Sequence, residues 1–200
     1  MLFRSGRGHL GLSASDVALL SGAFSLAKEA SNMGLPLPSI ITMEDTQIDF
    51  NNIQEMMLSS TFPWFLEPHS VYEQDGFPQF VHAIYREFEP VSEAWKHIQC
   101  VLNYLQPHGL YRIKANATPV HTKVVEKPLH TDLIEPDGST APHEVMILYI
   151  NSNDGYTVFE DGTKVESVAN RALFFNGKLK HAGTTCTDQP IRVVLNFNYL

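Results

Sequence analysis

The chain has 200 residues, and its 14 Lys and Arg against 22 Asp and Glu give a net charge of −8 with histidine neutral. This length suits one domain with a modest appendage, and a hydrophobic fraction of 44% excludes a disordered chain. The acidic balance argues against a nucleic-acid partner, and no apolar run reaches the roughly 18 residues of a membrane helix. Two cysteines, Cys100 and Cys186, are too few for a disulfide scaffold, so we expect a reducing compartment, the cytoplasm. The nine histidines make imidazole and carboxylate the expected ligands of any bound metal.

Residues 1–40 differ in composition from the rest and are interpreted as an N-terminal helical appendage of a single domain spanning 1–200. Ser13 or Ser15 is a suitable cap for a helix over 16–33, which Gly34 then ends. We expect this helical segment to pack on the sheet of the main domain. A targeting segment, rich in Arg and Ser, is the alternative interpretation.

Residues 41–109 are predicted to form a helical and lid region that supports the catalytic core. Between residues 41 and 93 ten carboxylates face one base, Arg86, which indicates a solvated face or, alternatively, an acidic rim that steers a basic substrate. The Pro- and Gly-containing stretch 67–79 is a predicted mobile lid. Apolar residues at helical spacing predict a helix over 91–105 with its apolar face against a sheet.

After Gly109 the pattern changes to short β-prone runs separated by turn signals such as Asn153-Asp154-Gly155. Strands at this spacing, without helices between them, indicate an antiparallel sandwich or barrel, jelly rolls included. The run 145–150 is apolar on both faces and is predicted to be a central strand. The predicted strands are 111–116, 120–125, 144–151, 156–159, 164–167, 172–176 and 191–199.

The last predicted strand alternates strictly between two kinds of side chain. One face carries Ile191, Val193, Leu195, Phe197 and Tyr199, and the other carries Arg192, Val194, Asn196 and Asn198. The polar face either meets solvent or lines a wet interior pocket, and alternation alone does not decide between these two.

A set of metal-ligating residues lies within the predicted strands. His130 and Asp132 stand at i and i+2, so on an extended backbone both side chains point the same way, roughly 6–7 Å apart. His181, about fifty residues later, follows a buried strand and a turn and is a suitable third ligand. Two histidines and a carboxylate form the facial triad of non-haem Fe(II) oxygenases, whose open positions suit a bidentate 2-oxo acid and then O₂. Arg192 follows His181 by eleven residues, and its guanidinium can bind a distal carboxylate with two hydrogen bonds.

The segment 111–200 resembles the catalytic domain of the Fe(II)/2-oxoglutarate-dependent oxygenases, in particular the prolyl-hydroxylase-like branch with its small marine-phage members. The resemblance rests on His130-Thr131-Asp132, the 148–151, 155–159 and 171–175 segments, His181 and Arg192. It implies a mainly β (α+β) double-stranded β-helix, or jelly roll, as the catalytic core over 110–200. It also implies Fe(II) held by His130, Asp132 and His181, with 2-oxoglutarate as co-substrate held by Arg192.

The activity that the resemblance implies is hydroxylation of a C–H bond, using O₂ and releasing succinate and CO₂. The substrate is a peptide or protein side chain, proline included, or a small metabolite, and the oligomeric state stays open. Tyr149 resembles by position a tyrosine that helps to bind the distal carboxylate, although a core aromatic fits equally well. Three asparagines are further candidates for co-substrate binding: Asn116, Asn196 and Asn198. Four histidines and a tyrosine are weaker candidates for the substrate mouth: His69, His82, His121, His143 and Tyr85.

Two departures from the family pattern put a prolyl substrate in doubt. Asp154-Gly155-Tyr156 stands where many relatives have two glycines, and residues 116–119 lack a tyrosine that prolyl hydroxylases often place there. The alternatives are a non-catalytic jelly-roll binding module that keeps the metal site, and an oxygenase that acts on nucleic-acid bases.

Overall fold

The computed structural model describes residues 38–42, 48–73 and 75–200. The predicted helix over 16–33, its packing on the sheet and the alternative targeting segment lie outside these residues. Within the described part of the chain, no helix is long and apolar enough to cross a membrane.

In the described residues the secondary structure is mostly β, with two α-helices and one 3₁₀ helix that precede β5 in the chain. The helical elements are α1 (Phe50–Leu58), the 3₁₀ helix Glu93–Lys96 and α2 (Gln99–Leu105). The first strands are β1 (Ser39–Thr42), β2 (Phe65–Glu67), β3 (Gln79–Arg86), β4 (Glu89–Pro90) and β5 (Leu110–Pro119). The others are β6 (Glu144–Tyr149), β7 (Tyr156–Phe159), β8 (Lys164–Glu166), β9 (Arg171–Asn176), β10 (His181–Gly183) and β11 (Ile191–Tyr199).

The described strands form two antiparallel sheets. The larger has the order β1-β9-β6-β11-β5-β3-β2, with β4 also paired to β3, and the smaller has the order β10-β7-β8. Isolated bridges Glu126↔Thr184 and His130↔His181 add the segment 126–130 beside β10. From β5 onward the chain passes several times between the two sheets, with β7 and β8 forming a hairpin in the smaller one, as in a jelly roll, and this part of the predicted fold is confirmed.

Two apolar clusters stabilise this arrangement. In the first, α1 and α2 pack on the outer face of the large sheet, where Ile53 and Val101 join Ile113, Leu148 and Phe197 in one buried cluster. The second brings the inner faces of the two sheets together through Val145, Ile147, Tyr149, Phe159, Val165, Leu173, Phe175 and Val194. The prediction of a central strand over 145–150 is confirmed, since β6 lies between β9 and β11 and is buried on both faces.

Three sequence predictions need correction. Residues 120–125 form no strand, because their backbone groups bond to loops instead: Val120 N–H donates to Pro190 O at 3.0 Å and His121 N–H to Cys186 O at 2.9 Å. The helix predicted over 91–105 divides into a 3₁₀ turn and α2, since Trp95 N–H bonds to Ser92 O, a three-residue step. Residues 79–86, expected in a helical and lid region, form β3 beside β5 in the large sheet.

The central position of β6 predicts a large cost for truncating its core residues. Leu148 is fully buried, whereas Leu66 on edge strand β2 is 64% exposed. We expect Leu148→Ala to lower the free energy of unfolding by about 2–5 kcal/mol, because it removes buried methyl groups and leaves a cavity. Leu66→Ala should change it by less than about 0.5 kcal/mol. Urea unfolding followed by circular dichroism measures both, and equal values would contradict the assigned core.

Candidate metal centre

Three potential metal ligands converge between the two sheets. His130 and His181 are brought together by backbone hydrogen bonds of 3.0 Å in both directions between the 126–130 segment and β10. Asp132 follows two residues after His130, as the i, i+2 spacing predicts. Ligand atoms from all three side chains lie within 4.8 Å of one another, close enough to bind one ion.

Both imidazoles are oriented so that Nε2 is the free ligand atom. The Nδ1 atoms of His130 and His181 lie 3.2 Å from the carbonyl oxygens of Pro128 and Leu179. Because a carbonyl can only accept, each Nδ1 carries a proton, and Nε2 is the atom through which each neutral ring can bind a metal. The His181 ring is held further by Phe175, whose centroid lies 4.7 Å away in an edge-on contact.

Strands β5 and β11 hold the Asp132 carboxylate. Asn196 and Asn198 donate their amide N–H groups to Oδ2 at 3.1 and 2.8 Å. Arg112 lies 3.2 Å from Oδ1 and also donates through Nε to the Asn198 side-chain oxygen at 3.0 Å. Asn196 and Asn198, expected from sequence to contact a co-substrate, therefore orient a metal ligand in the structure.

The electrostatic environment keeps the carboxylate ionised and His130 neutral. Burial alone would raise the pKa of Asp132, but His181, Arg112, His130 and the Asn198 hydrogen bond together lower it. Burial, with His181 next in importance, lowers the pKa of His130 to about 4. At neutral pH the pair is thus one anionic oxygen donor and one neutral imidazole, the forms that bind a divalent cation.

Arg192 lies in the same cavity as the triad, buried at 4% exposure on β11. Its Nε donates to Ser167 Oγ at 2.9 Å and its Nη2 to Thr157 Oγ1 at 3.3 Å. Gly155 makes room for it, because a Cβ there would lie 2.8 Å from the Arg192 Cδ atom. Among the described residues no carboxylate forms an ion pair with this guanidinium.

Tyr149 is buried in the core and contacts the residues around Arg192. Its hydroxyl donates to Thr157 Oγ1 at 2.8 Å, and its ring lies 5.7 Å from the Arg192 Cζ atom. It is not among the residues lining the cavity. Tyr149 therefore contacts Thr157 and Arg192 on the side away from the cavity and helps to fix their positions.

The cavity has an empty volume of about 600 Å³, including its mouth. Asn116 lines it, and so do Lys114 and Lys127, while the predicted contact of Asn116 with a co-substrate stays a prediction. Sequence reasoning missed these two lysines and Arg112. Arg112, Lys114, Asn116 and Thr118 alternate along β5 with the buried residues Ile113, Ala115 and Ala117. That alternation is the signal that could have identified Arg112 and Lys114, as it did the polar face of β11, whereas Lys127 lies outside β5 and has no such signal.

The other candidate residues lie away from the cavity. His69, His82, His121, His143 and Tyr85 are absent from its lining. The two ring nitrogens of His82 bond to Pro63 O at 2.7 Å and Ser92 Oγ at 2.6 Å, which is a packing role. Tyr85 stacks on Trp95 with ring centroids 5.3 Å apart.

The predicted lid borders the cavity through Ser70 and Val71. Asp75 organises this loop, since its carboxylate accepts hydrogen bonds from Ser70, Val71 and Phe77 at 2.8–3.0 Å. These bonds lower the pKa of Asp75 despite the opposing effect of burial. The Tyr72 hydroxyl reaches Leu129 O at 3.3 Å, so the loop contacts the segment that carries His130. Its mobility stays a prediction.

Several solved structures are similar to this chain over most of its length. An oxidoreductase of the 2OG-Fe(II) oxygenase family from Burkholderia pseudomallei matches with TM-score 0.62 and 10% identity, covering 98% of this chain and 93% of its own. A prolyl hydroxylase from Trichoplax adhaerens, in complex with a hypoxia inducible factor peptide fragment, matches with TM-score 0.61 and 14% identity over 91% and 92%. The chain shares their fold.

A Pseudomonas putida prolyl-4-hydroxylase matches with TM-score 0.57 and 16% identity, covering 88% of this chain and 98% of its own. No protein-family model matches the sequence, and no curated protein matches it. The similarity to these proteins is therefore one of three-dimensional structure, and it covers most of this chain and most of theirs.

The hydrogen bonds on Asp132 predict that Asn198 matters for metal binding without being a ligand. We expect Asn198→Ala to weaken Mn(II) binding by ~10–100-fold, because the carboxylate loses the amide that orients it. Asn103→Ala, at an exposed position of α2, is the matched control and should bind Mn(II) normally. Isothermal titration measures both constants. An unchanged constant for folded Asn198→Ala would contradict the role assigned to the amide.

Proposed function

We propose that the protein is an Fe(II)- and 2-oxoglutarate-dependent dioxygenase that hydroxylates a C–H bond. The observation that carries the proposal is one cavity holding both a His-Asp-His cluster and a buried guanidinium with no carboxylate partner among the described residues. The fold shared with 2OG-Fe(II) oxygenases supports it.

His130, Asp132 and His181 are the residues that would hold Fe(II). The donor set fits the ion, since two imidazoles and one carboxylate form the 2-His-1-carboxylate triad with open positions. When bound, iron and 2-oxoglutarate together would supply oxidative decarboxylation, giving succinate and CO₂, coupled to transfer of one atom of O₂ into the C–H bond.

The rest of the cavity is suited to bind and orient the co-substrate. Arg192 presents a planar cation that can take the distal carboxylate with two hydrogen bonds, and Ser167 and Thr157 hold its orientation. Burial of the guanidinium strengthens such a pair, because the local dielectric is low. Asn116 lines the cavity and Asn196 shares its wall, so both remain candidates for further contacts.

The substrate class proposed is a peptide or protein side chain, proline among the candidates, or a small metabolite. One matching structure is described as a prolyl hydroxylase in complex with a peptide fragment, which makes a peptide substrate a natural first test. A nucleic-acid base stays an alternative that the net charge of −8 disfavours. The described Cys100 and Cys186 are both free, which agrees with the cytoplasm as the proposed location.

The activity is tested by incubating purified protein with Fe(II), ascorbate, O₂ and 2-oxoglutarate and measuring succinate. We expect slow succinate formation even without a primary substrate, and faster formation with a suitable proline-containing peptide or metabolite. Asp132→Ala should abolish it, and Asp137→Ala, an exposed carboxylate nearby, should not. A metal-loaded wild type that binds no 2-oxoglutarate would instead support the non-catalytic binding module.

Arg192 is predicted to determine co-substrate affinity. We expect Arg192→Met to weaken 2-oxoglutarate binding by about 2–5 kcal/mol, because one partner of a buried charge pair is lost. Mn(II) binding should be unchanged, since Arg192 is not a metal ligand. Arg86→Met, on the exposed end of β3, is the control. Calorimetric titration of the Mn(II) protein decides, and equal affinity in Arg192→Met and wild type would contradict the assignment.

A further inference from the structure

The cavity contains more positive charge than the proposed reaction accounts for. Lys114, Lys127 and Arg192 line it, and among the residues that the structure describes Asp132 is the one carboxylate in its lining. Arg192 has a proposed partner in the distal carboxylate of 2-oxoglutarate. Within the described ranges neither lysine forms an ion pair with a carboxylate, and a buried ammonium without a close counter-charge is costly.

Lys127 is the more deeply buried of the two lysines, with 9% exposure. Its Nζ donates to Gln79 Oε1 at 3.1 Å and to Thr118 Oγ1 at 3.0 Å, both neutral acceptors. An ammonium has three N–H donors, so one remains for a ligand in the cavity. Among the residues that the structure describes, no carboxylate forms an ion pair with Lys127.

Two contacts place Lys127 beside Arg192. Thr118, which accepts the hydrogen bond from Lys127, is paired with Arg192 across β5 and β11. The Lys127 backbone N–H donates to Gly183 O at 3.1 Å, and a Cβ on Gly183 would lie 3.3 Å from the Arg192 Nη1 atom. The ammonium and the guanidinium thus approach the same end of the cavity, Lys127 from the segment beside β10 and Arg192 from β11.

Two like charges in a buried site repel each other unless an anion lies between them. Burial and the neighbouring Arg192 lower the pKa of Lys127 to about 7, while Asp75 partly opposes this. A carboxylate bound between the cations would remove the repulsion and use the free donors of both side chains.

We propose that Lys127 is the second cation of the co-substrate site, so that the distal carboxylate of 2-oxoglutarate is bound by Lys127 and Arg192 together. This inference rests on the proposed function. In this role Lys127 would help the protein to select 2-oxo acids that carry a second carboxylate at the far end.

The test compares two ligands that differ only at that end. 2-Oxoglutarate and 2-oxopentanoate have the same carbon chain, but the second has a methyl group where the first has its distal carboxylate. Calorimetric titrations of the Mn(II)-loaded protein with both ligands are carried out for wild type, Lys127→Met and Lys123→Met. Lys123 is an exposed lysine four residues earlier and controls for the change in net charge.

We expect Lys127→Met to weaken 2-oxoglutarate binding by about 10–100-fold, the value of a hydrogen bond to a charged group. Its binding of 2-oxopentanoate should stay within about 2-fold of the wild type, because that ligand has no carboxylate for Lys127 to contact. Lys123→Met should bind both ligands as the wild type does. If Lys127→Met does not fold, Lys127→Gln serves in its place.

Two results would overturn the inference. Unchanged 2-oxoglutarate affinity in Lys127→Met would mean that Lys127 does not contact the co-substrate and that its partner is another group, for example an acidic group of the primary substrate. Equal loss for both ligands would mean that Lys127 only maintains the structure of the cavity. Failure of the proposed function is distinct, because the Mn(II)-loaded wild type itself would then bind no 2-oxoglutarate.

Discussion

A buried carboxylate is stable only when charge and hydrogen bonds replace the water that it has lost, and the candidate centre depends on how Asp132 meets this requirement. Arg112 on β5 supplies the charge, and Asn196 and Asn198 on β11 supply two amide donors. These residues lie on two adjacent strands of the large sheet, so the pairing of β5 with β11 fixes the position of the carboxylate. The geometry of the candidate metal centre therefore depends on the pairing of these two strands.

Successive side chains of a β-strand point to opposite faces of the sheet, so one strand can supply core residues on one face and site residues on the other. On β11 the residues Val193, Leu195 and Phe197 face the helices, while Arg192 and Asn196 face the cavity. A substitution on one face should therefore affect folding, and one on the other face should affect ligand binding. This arrangement also explains how a sheet with an apolar core can have a cavity wall that carries several charges.

The strand pattern after residue 109 and the His130, Asp132, His181 and Arg192 set could be predicted from sequence, because short polar-apolar alternation and ligand spacing are local signals. The residues that contact this set in the folded protein could not be predicted from sequence, because many of them are distant in the chain from the residue that they contact. Asn196 and Asn198 act on Asp132 through contacts 64 and 66 residues apart in the chain. The failed strand over 120–125 has the same cause: its apolar residues suit a strand, but its backbone groups bond to the 185–190 loop instead. Lys127 became a candidate only when pairing placed it beside Arg192.

The central claim is that one cavity binds Fe(II) and 2-oxoglutarate together, with the 2-oxo acid on the metal. Anaerobic titration of the Fe(II)-loaded protein with 2-oxoglutarate, followed by visible absorption, tests this most directly, because a 2-oxo acid chelated to Fe(II) absorbs in the visible. The account predicts a charge-transfer band that saturates at one 2-oxoglutarate per iron. Iron that binds to the protein but develops no such band, at any concentration of 2-oxoglutarate, would contradict it.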